Sequence, residues 1–257
     1  MKKKPTAKIK LQSISKSFVV NGKKKLVLDG ISLDVKNGEF VSIVGPSGCG
    51  KTTLLNIIAG LEMEDKGSIK LNSIPMNKRL GRIGYMQQKD LLFPWRSVLD
   101  NAILGMEIKG ISRSVARKKA LGLVDTFGLK GFEDQYPFTL SGGMRQRAAF
   151  LRIVLLDQDI MLLDEPFGAL DALTRMQMRE WLLSLWKKFH NTIVFVTHDV
   201  DEAILASNKI YVLTARPAQL ALTVDVKLPR PRNYKMVALP NFTKIKKQIL
   251  TCLYKEI

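Results

Sequence analysis

Gly45-Pro-Ser-Gly-Cys-Gly-Lys-Thr52 restricts the fold more than any other segment, because its spacing matches G-x-x-x-x-G-K-[ST]. Glycines at these positions let backbone N–H groups curl around a phosphate. A helix that starts at the lysine points its positive end at the anion. The flanks agree with this reading. Residues 40–44 form a short apolar run before Gly45, and residues 51–59 have helical spacing that stops at Gly60. Lys51 is suited to neutralising phosphate charge and the Thr52 hydroxyl to binding Mg²⁺. Cys49 lies within the loop, where its backbone is the part that matters.

The rest of the chain predicts an α/β architecture. Residues 160–163, 193–196 and 210–213 are short and apolar throughout, as strands of a parallel sheet covered on both faces are. Helical segments at 172–189 and 200–206 lie between them, giving the alternation of a doubly wound sheet. The opening differs. Residues 8–14 and 31–35 alternate polar and apolar, and Asn21-Gly22 and Asn37-Gly38 read as turns, so antiparallel strands are expected there. From about 91 to 157 the pattern is helical and more polar, punctuated by Gly105, Gly110, Gly128 and Gly131, which predicts an inserted helical subdomain. Prolines cluster at Pro217, Pro229, Pro231 and Pro240, and the C-terminal stretch reads as a small appendage.

Composition narrows the function classes. At 257 residues and 46% hydrophobic content, the chain is long enough to bury a large core. Its 41 Lys+Arg against 23 Asp+Glu give a net charge of +18, which attracts nucleotide phosphates, anionic lipid or nucleic acid; a solvated lysine-rich surface accounts for it equally well. Cys49, Cys252, His190 and His198 lack the spacing of zinc ligands, so two free thiols are expected. No apolar run approaches the roughly 18 residues of a membrane span, and no apolar stretch follows the basic start. The expected location is the cytoplasm, at the plasma membrane only peripherally.

Two further motifs carry chemistry. Residues 160–165 form an apolar strand that ends in Asp164 and Glu165, where an α/β sheet places its ligands. Asp164 suits Mg²⁺ through water, and Glu165 suits a general base for an attacking water. Leu140-Ser-Gly-Gly-Met-Arg-Gln-Arg147 alone reads as a turn before a helix that Ser141 would cap.

The order phosphate loop, Leu140 to Arg147, Asp164-Glu165 and Thr197-His198-Asp199 resembles the ATP-binding cassette (ABC) family over nearly the whole chain. The resemblance implies a P-loop NTPase cassette with a mixed β-sheet core. Residues 7–90 and 157–228 would form a RecA-like core with an N-terminal antiparallel β subdomain. Residues 91–156 would form the helical subdomain, and 229–257 the appendage. It also implies an ATPase that works as a homodimer, with ATP between the phosphate loop of one copy (Gly45, Pro46, Ser47, Gly48, Cys49, Gly50, Lys51, Thr52, Thr53) and Ser141, Gly142, Gly143 and Gln146 of the other. Gln88 matches the hinge glutamine near Mg²⁺ and the attacking water, and His198 the histidine that contacts the γ-phosphate. Asp171 matches the loop linking the two sites, and Phe18 the aromatic that stacks on adenine; a core phenylalanine is the other reading of Phe18.

Leu91-Leu-Phe-Pro-Trp-Arg-Ser-Val98, Asp164-Glu-Pro-Phe-Gly-Ala-Leu-Asp-Ala172, Ala215-Arg-Pro and Leu228-Pro-Arg-Pro-Arg232 look like importers for nitrate, sulfonate, taurine and pyrimidine precursors. That likeness implies permease subunits as partners, a solute-binding protein indirectly, and no specific nucleic acid. The alternative is a DNA-associated ABC ATPase of chromosome maintenance or repair. Such proteins insert a coiled coil or zinc module, and Ser141 follows Gln88 by only 53 positions. The apolar cluster Leu91, Phe93 and Trp95 either packs the subdomain onto the sheet or receives a permease helix. Pro94 places it in a loop or at a helix start.

Overall fold

The computed structural model describes residues 7–72, 74–75 and 79–255. In chain order the elements are β1 (Ala7–Val20), β2 (Lys23–Lys36), β3 (Phe40–Val44), α1 (Lys51–Ala59), β4 (Lys66–Leu71), β5 (Ile74–Pro75) and β6 (Gly84–Met86). Then follow α2 (Val98–Ile108), α3 (Arg113–Val124), α4 (Gly142–Val154), β7 (Ile160–Asp164), α5 (Ala172–Phe189) and β8 (Thr192–Val196). The last are α6 (Val200–Ala206), β9 (Lys209–Leu213), β10 (Leu220–Asp225) and α7 (Pro240–Tyr254). The chain is compact in two units: one combines the segment up to Arg82 with everything from Leu183 onward, and the other is Ile83–Leu182. Among the described residues no helix is long and apolar enough to cross a membrane.

The first unit opens with an antiparallel sheet in the order β2-β1-β4-β5. Asn21 (φ 52°) and Gly22 (φ 73°) join Val20 to its partner Lys23. Two positive φ values in a two-residue loop are the type I′ geometry that suits the twist of a hairpin. Ile9, Leu11 and Ile14 of β1 and Ile31 and Val35 of β2 are buried. A second sheet of this unit is mixed. β3 runs parallel to β8 on one side and to β9 on the other, and β10 closes it antiparallel to β9. All five residues of β3 are buried, as are all five of β8, which is why neither shows alternation. Ser42, the polar residue of β3, shares a hydrogen bond with Ser207.

The stretch from 229 onward, expected as a small appendage, is anchored in this unit. α7 begins with Pro240 in its first turn, and its Phe242 and Ile249 are fully buried among Val44, Ile204, Val212 and Val224. Arg232 ties the chain before α7 to the end of α6. Its terminal nitrogens donate to the carbonyls of Ile204 (2.9 Å), Ser207 (2.5 Å), Val226 (2.9 Å) and Leu228 (3.0 Å). Burial, with Arg230 beside it, pushes the Arg232 guanidinium down to about 10, so it stays charged at neutral pH. Arg230 stacks over Trp186 at 4.5 Å and donates to the carbonyl of Ala206 (2.6 Å).

In the second unit β6 and β7 pair in parallel, with Met86 opposite Leu163. α2, α3 and α4 form its helical part. α2 and α3 are 11 and 12 residues long, far short of a coiled coil. Phe150 and Phe127 meet Trp181 edge-on at 5.4 and 5.6 Å, packing α4 and the end of α3 against α5. β4, β5 and β10 are elements that the sequence pattern did not single out.

Arg232→Ala leaves several buried carbonyls without a donor, so it is expected to lower stability by about 2–4 kcal/mol in urea unfolding. Arg232→Lys recovers only part, because an ammonium lacks the planar fork. A loss below about 1 kcal/mol for the alanine variant would contradict this role.

Candidate functional site

In the first unit β3 delivers the chain into the loop 45–50, and α1 begins at Lys51. The glycines are required by space and by backbone conformation. A Cβ on Gly45 would lie 3.1 Å from the Leu213 carbonyl oxygen, and one on Gly50 would lie 2.9 Å from Leu28 Cδ2. Gly48 and Gly50 have φ of 73° and 125°, which L side chains rarely adopt. Lys51 is buried and arches back over the loop. Its ammonium donates to the carbonyls of Gly45 and Pro46, both at 2.9 Å. No acidic side chain occupies the first turn of α1, so nothing offsets the positive end of the helix. Ser47 and Thr52 are exposed and Thr53 is half-buried. Burial pushes the Cys49 thiol up, so it is a neutral, packed side chain at neutral pH.

His198 follows β8. Since β8 and β3 are parallel with Val196 opposite Ile43, His198 and the phosphate loop leave the same sheet edge. Thr197 is buried and bonded to Glu202 (2.5 Å), and Asp199 caps α6 by accepting from the Glu202 amide (3.1 Å). His198 is thus an exposed ring on a tightly bonded turn. Phe18 is half-buried near the hairpin turn, not a core phenylalanine, and the Lys16 ammonium lies 5.2 Å from its ring centre. It faces Lys25 on β2, the strand whose Val27 and Leu28 back onto Gly50.

The second unit carries the acids. Asp164 ends β7 and is 3% exposed. Tyr85 of β6 hydrogen-bonds it, and burial together with the Asp164 charge raises the Tyr85 hydroxyl far above its ordinary value. Tyr85 therefore remains a donor that fixes the carboxylate. Glu165 follows with φ 45°, a left-handed conformation costing about 1 kcal/mol or more, braced by the Gly168 amide on its carbonyl (3.0 Å). Gln87 and Gln88 are exposed just past β6, so they share a strand edge with Asp164 and Glu165.

The loop after Gln88 is held from two directions. Arg152 of α4 donates to the carbonyls of Asp90 (2.6 Å) and Leu91 (2.7 Å). The fully buried Asn101 accepts from the Phe93 amide (2.7 Å) and donates to the carbonyls of Phe93, Arg96 and Ser97. Phe93 and Trp95 stack on each other at 5.1 Å, and Trp95 is 71% exposed. Asn101, Arg152 and Tyr85 were not singled out in the sequence, because their partners are set by folding.

Ser141 caps α4 as expected, its hydroxyl accepting from the Met144 amide at 3.3 Å. A Cβ on Gly142 or Gly143 would meet Leu170 at 3.0 Å or Thr174 at 3.3 Å, so the Asp171 loop packs on the glycine pair. Asp171 accepts from the Thr174 amide (3.0 Å), and hydrogen bonding from Thr174 holds its carboxyl below the usual range. Ser141 and Asp171 are exposed; Gln146 is buried, and its amide oxygen has no hydrogen-bond partner among the described residues.

The family model described as ABC transporter matches residues 28–168, from β2 to just beyond Glu165. This chain belongs to the ABC transporter family. The cassette is 43% identical over 250 residues to an uncharacterized ABC transporter ATP-binding protein of Methanocaldococcus jannaschii, covering 97% of this chain and 92% of that one. It is 40% identical over 236 residues to the aliphatic sulfonates import ATP-binding protein SsuB of Bacillus subtilis, covering 92% and 90%. Among solved structures it resembles a dimeric ATP-binding cassette in a post-hydrolysis state with ADP and Pi, at TM-score 0.75 and 30% identity over 86% of this chain and all of that one. CbiO1 of Clostridium perfringens, part of the ABC transporter complex CbiONQ, shares the fold at TM-score 0.77 and 22% identity over 98% and 99%. The cassette binds and hydrolyses ATP.

Gly50→Ala forces a side chain onto Leu28 and Val27 at a φ of 125°. Its affinity for ATP is expected to fall at least tenfold, read by titration with a fluorescent nucleotide. Wild-type affinity would show that the loop tolerates the added carbon.

Proposed function

We propose that the cassette is the ATP-hydrolysing subunit of an importer for a small solute of the nitrate, sulfonate, taurine or pyrimidine-precursor kind. The observation that carries this reading is the loop 91–97. A buried asparagine and an arginine over-determine its backbone, while the stacked pair Phe93 and Trp95 stays exposed, Trp95 most of all. An apolar cluster kept exposed at such structural expense suits a partner surface. The names of the sulfonate-import relatives point to a permease as that partner. Because Arg152 also belongs to the helix that Ser141 caps, the loop 91–97 and the segment 140–147 are both tied to α4.

In this reading the amides of 45–53 and the Lys51 ammonium bind the phosphates, and Phe18 stacks on adenine. Thr52, Gln88 and Asp164 offer a hydroxyl, an amide oxygen and a carboxylate, hard oxygen donors that fit Mg²⁺. Bound Mg²⁺ would neutralise phosphate charge. Glu165 takes the proton of the attacking water, Gln88 orients that water, and His198 holds the γ-phosphate. Two copies work together, with Ser141, Gly142 and Gly143 serving the nucleotide of the opposite copy and Asp171 linking the sites; the dimeric post-hydrolysis cassette supports this pairing. Gln146, expected at the same nucleotide, is buried on α4 in the single chain, and its amide oxygen has no hydrogen-bond partner among the described residues. The dimer docks on the cytoplasmic face of the plasma membrane, and a solute-binding protein acts through the permease.

Glu165→Gln cannot accept the proton, so turnover is expected to drop at least a hundredfold while ATP binding persists and holds two copies together in size-exclusion chromatography. Near-normal hydrolysis would remove Glu165 from the role of base.

Trp95→Ala is expected to keep basal ATPase within about twofold, since the ring is in solvent and surface changes cost little. Co-purification with the permease and solute uptake should be lost. Full coupling in a folded variant would rule out docking through Trp95.

A further inference from the structure

We propose that Arg216 is a positioning residue of the phosphate loop, clamping the Gly48 carbonyl so that the next amide faces the phosphate. The inference rests on the reading of residues 45–53 as the nucleotide cradle. Arg216 lies in the turn between β9 and β10, 168 residues from Gly48 in sequence. Its Nε donates to the Gly48 carbonyl at 2.9 Å, and one terminal nitrogen donates to the same oxygen. Among the described residues this guanidinium forms no ion pair, so its charge remains beside the loop.

The clamp has a fixed base. Ala218 exchanges backbone hydrogen bonds with β2: its amide donates to Val27 (2.8 Å) and its carbonyl accepts from Asp29 (2.9 Å). Gln219 adds a side-chain bond to Asp29 (2.8 Å), and the Thr214 hydroxyl accepts from the Gln219 amide (2.8 Å). The turn that carries Arg216 is therefore attached to the stretch 27–29 of β2, whose Val27 and Leu28 back onto Gly50.

A trans peptide is planar, and its C=O and N–H point opposite ways. Holding the Gly48 carbonyl toward Arg216 turns the Cys49 N–H inward, where it makes a long 3.3 Å bond to Pro46. An amide so weakly engaged is ready for a phosphate oxygen. Without the clamp, glycine at 48 leaves this peptide free to rotate. A carbonyl turned into the cradle would face phosphate with the wrong sign.

The test compares Arg216→Ala, Arg216→Lys and Arg216→Gln with Lys51→Ala, measuring Kd for ATP and ADP, KM and kcat. Arg216→Ala is expected to raise Kd for both nucleotides and KM about tenfold, with kcat falling less than threefold. The Lys and Gln variants, which keep one donor, should recover part of the affinity. The deficit should persist at 0.5 M salt, where a loss of long-range charge alone would fade. Should Arg216→Ala fail to fold, the Lys and Gln variants still decide, because wild-type affinity in the shorter Gln side chain would overturn the two-donor clamp. Unchanged Kd in Arg216→Ala, beside a Lys51→Ala variant that has lost binding, would also overturn it. Normal binding by Lys51→Ala would instead undo the reading of the cradle itself.

Discussion

The parallel registration of β8, β3 and β9 is the constraint on which the first unit depends. It places the ends of three buried strands at one edge, so residues 45–50, His198 and the turn after Leu213 emerge together. The phosphate loop is then shaped by what surrounds it. Leu213 limits Gly45, Val27 and Leu28 limit Gly50, and the Lys51 side chain spans the opening. None of these contacts is large in energy. Together they narrow the conformations open to the loop, which is the preorganisation that the proposed phosphate binding by its amides would use.

In the second unit α4 has the corresponding position. Its N-terminus is the Ser141 cap, its middle packs through Phe150 on Trp181, and Arg152 near its end holds the backbone after Gln88. Gly84 of β6 is confined by Ile153 of the same helix, where an added Cβ would come within 2.5 Å. The Ser141 end of α4 and the β6 edge are therefore joined through contacts of a single helix. This is a physical connection; coupling also needs a second arrangement that nucleotide favours.

Much of this was legible because it is local. The helix at Lys51–Ala59 ends at Gly60, which adopts φ 80°, and the hairpin turns on Asn21-Gly22 with both φ values positive. Buried strands such as Thr192–Val196 read directly as apolar runs. What stayed hidden depends on distant partners. Arg216 meets Gly48 across 168 positions, Arg232 meets Ile204 across 28, and Tyr85 meets Asp164 across the β6–β7 pairing. Among the described residues β10 is paired only with β9, and its half-exposed face weakens the strand pattern. α7 carries an apolar spacing at Phe242, Ile245 and Ile249, but Pro229, Pro231 and Pro240 give the same stretch the pattern of turns.

The anchored tail changes what a shortened chain would be. A premature stop codon after Leu228 would leave every nucleotide motif intact in the translated product. It would also strip Phe242 and Ile249 from the cluster around Ile204 and Val212 and remove the guanidinium that satisfies the end of α6. An apolar face and bare carbonyls would then meet water together. Such a product would carry residues 45–53, 141–143, 164–165 and 198 and still be lost to aggregation or proteolysis, so residues 229–255 act as part of the folding instruction and not as an optional extension.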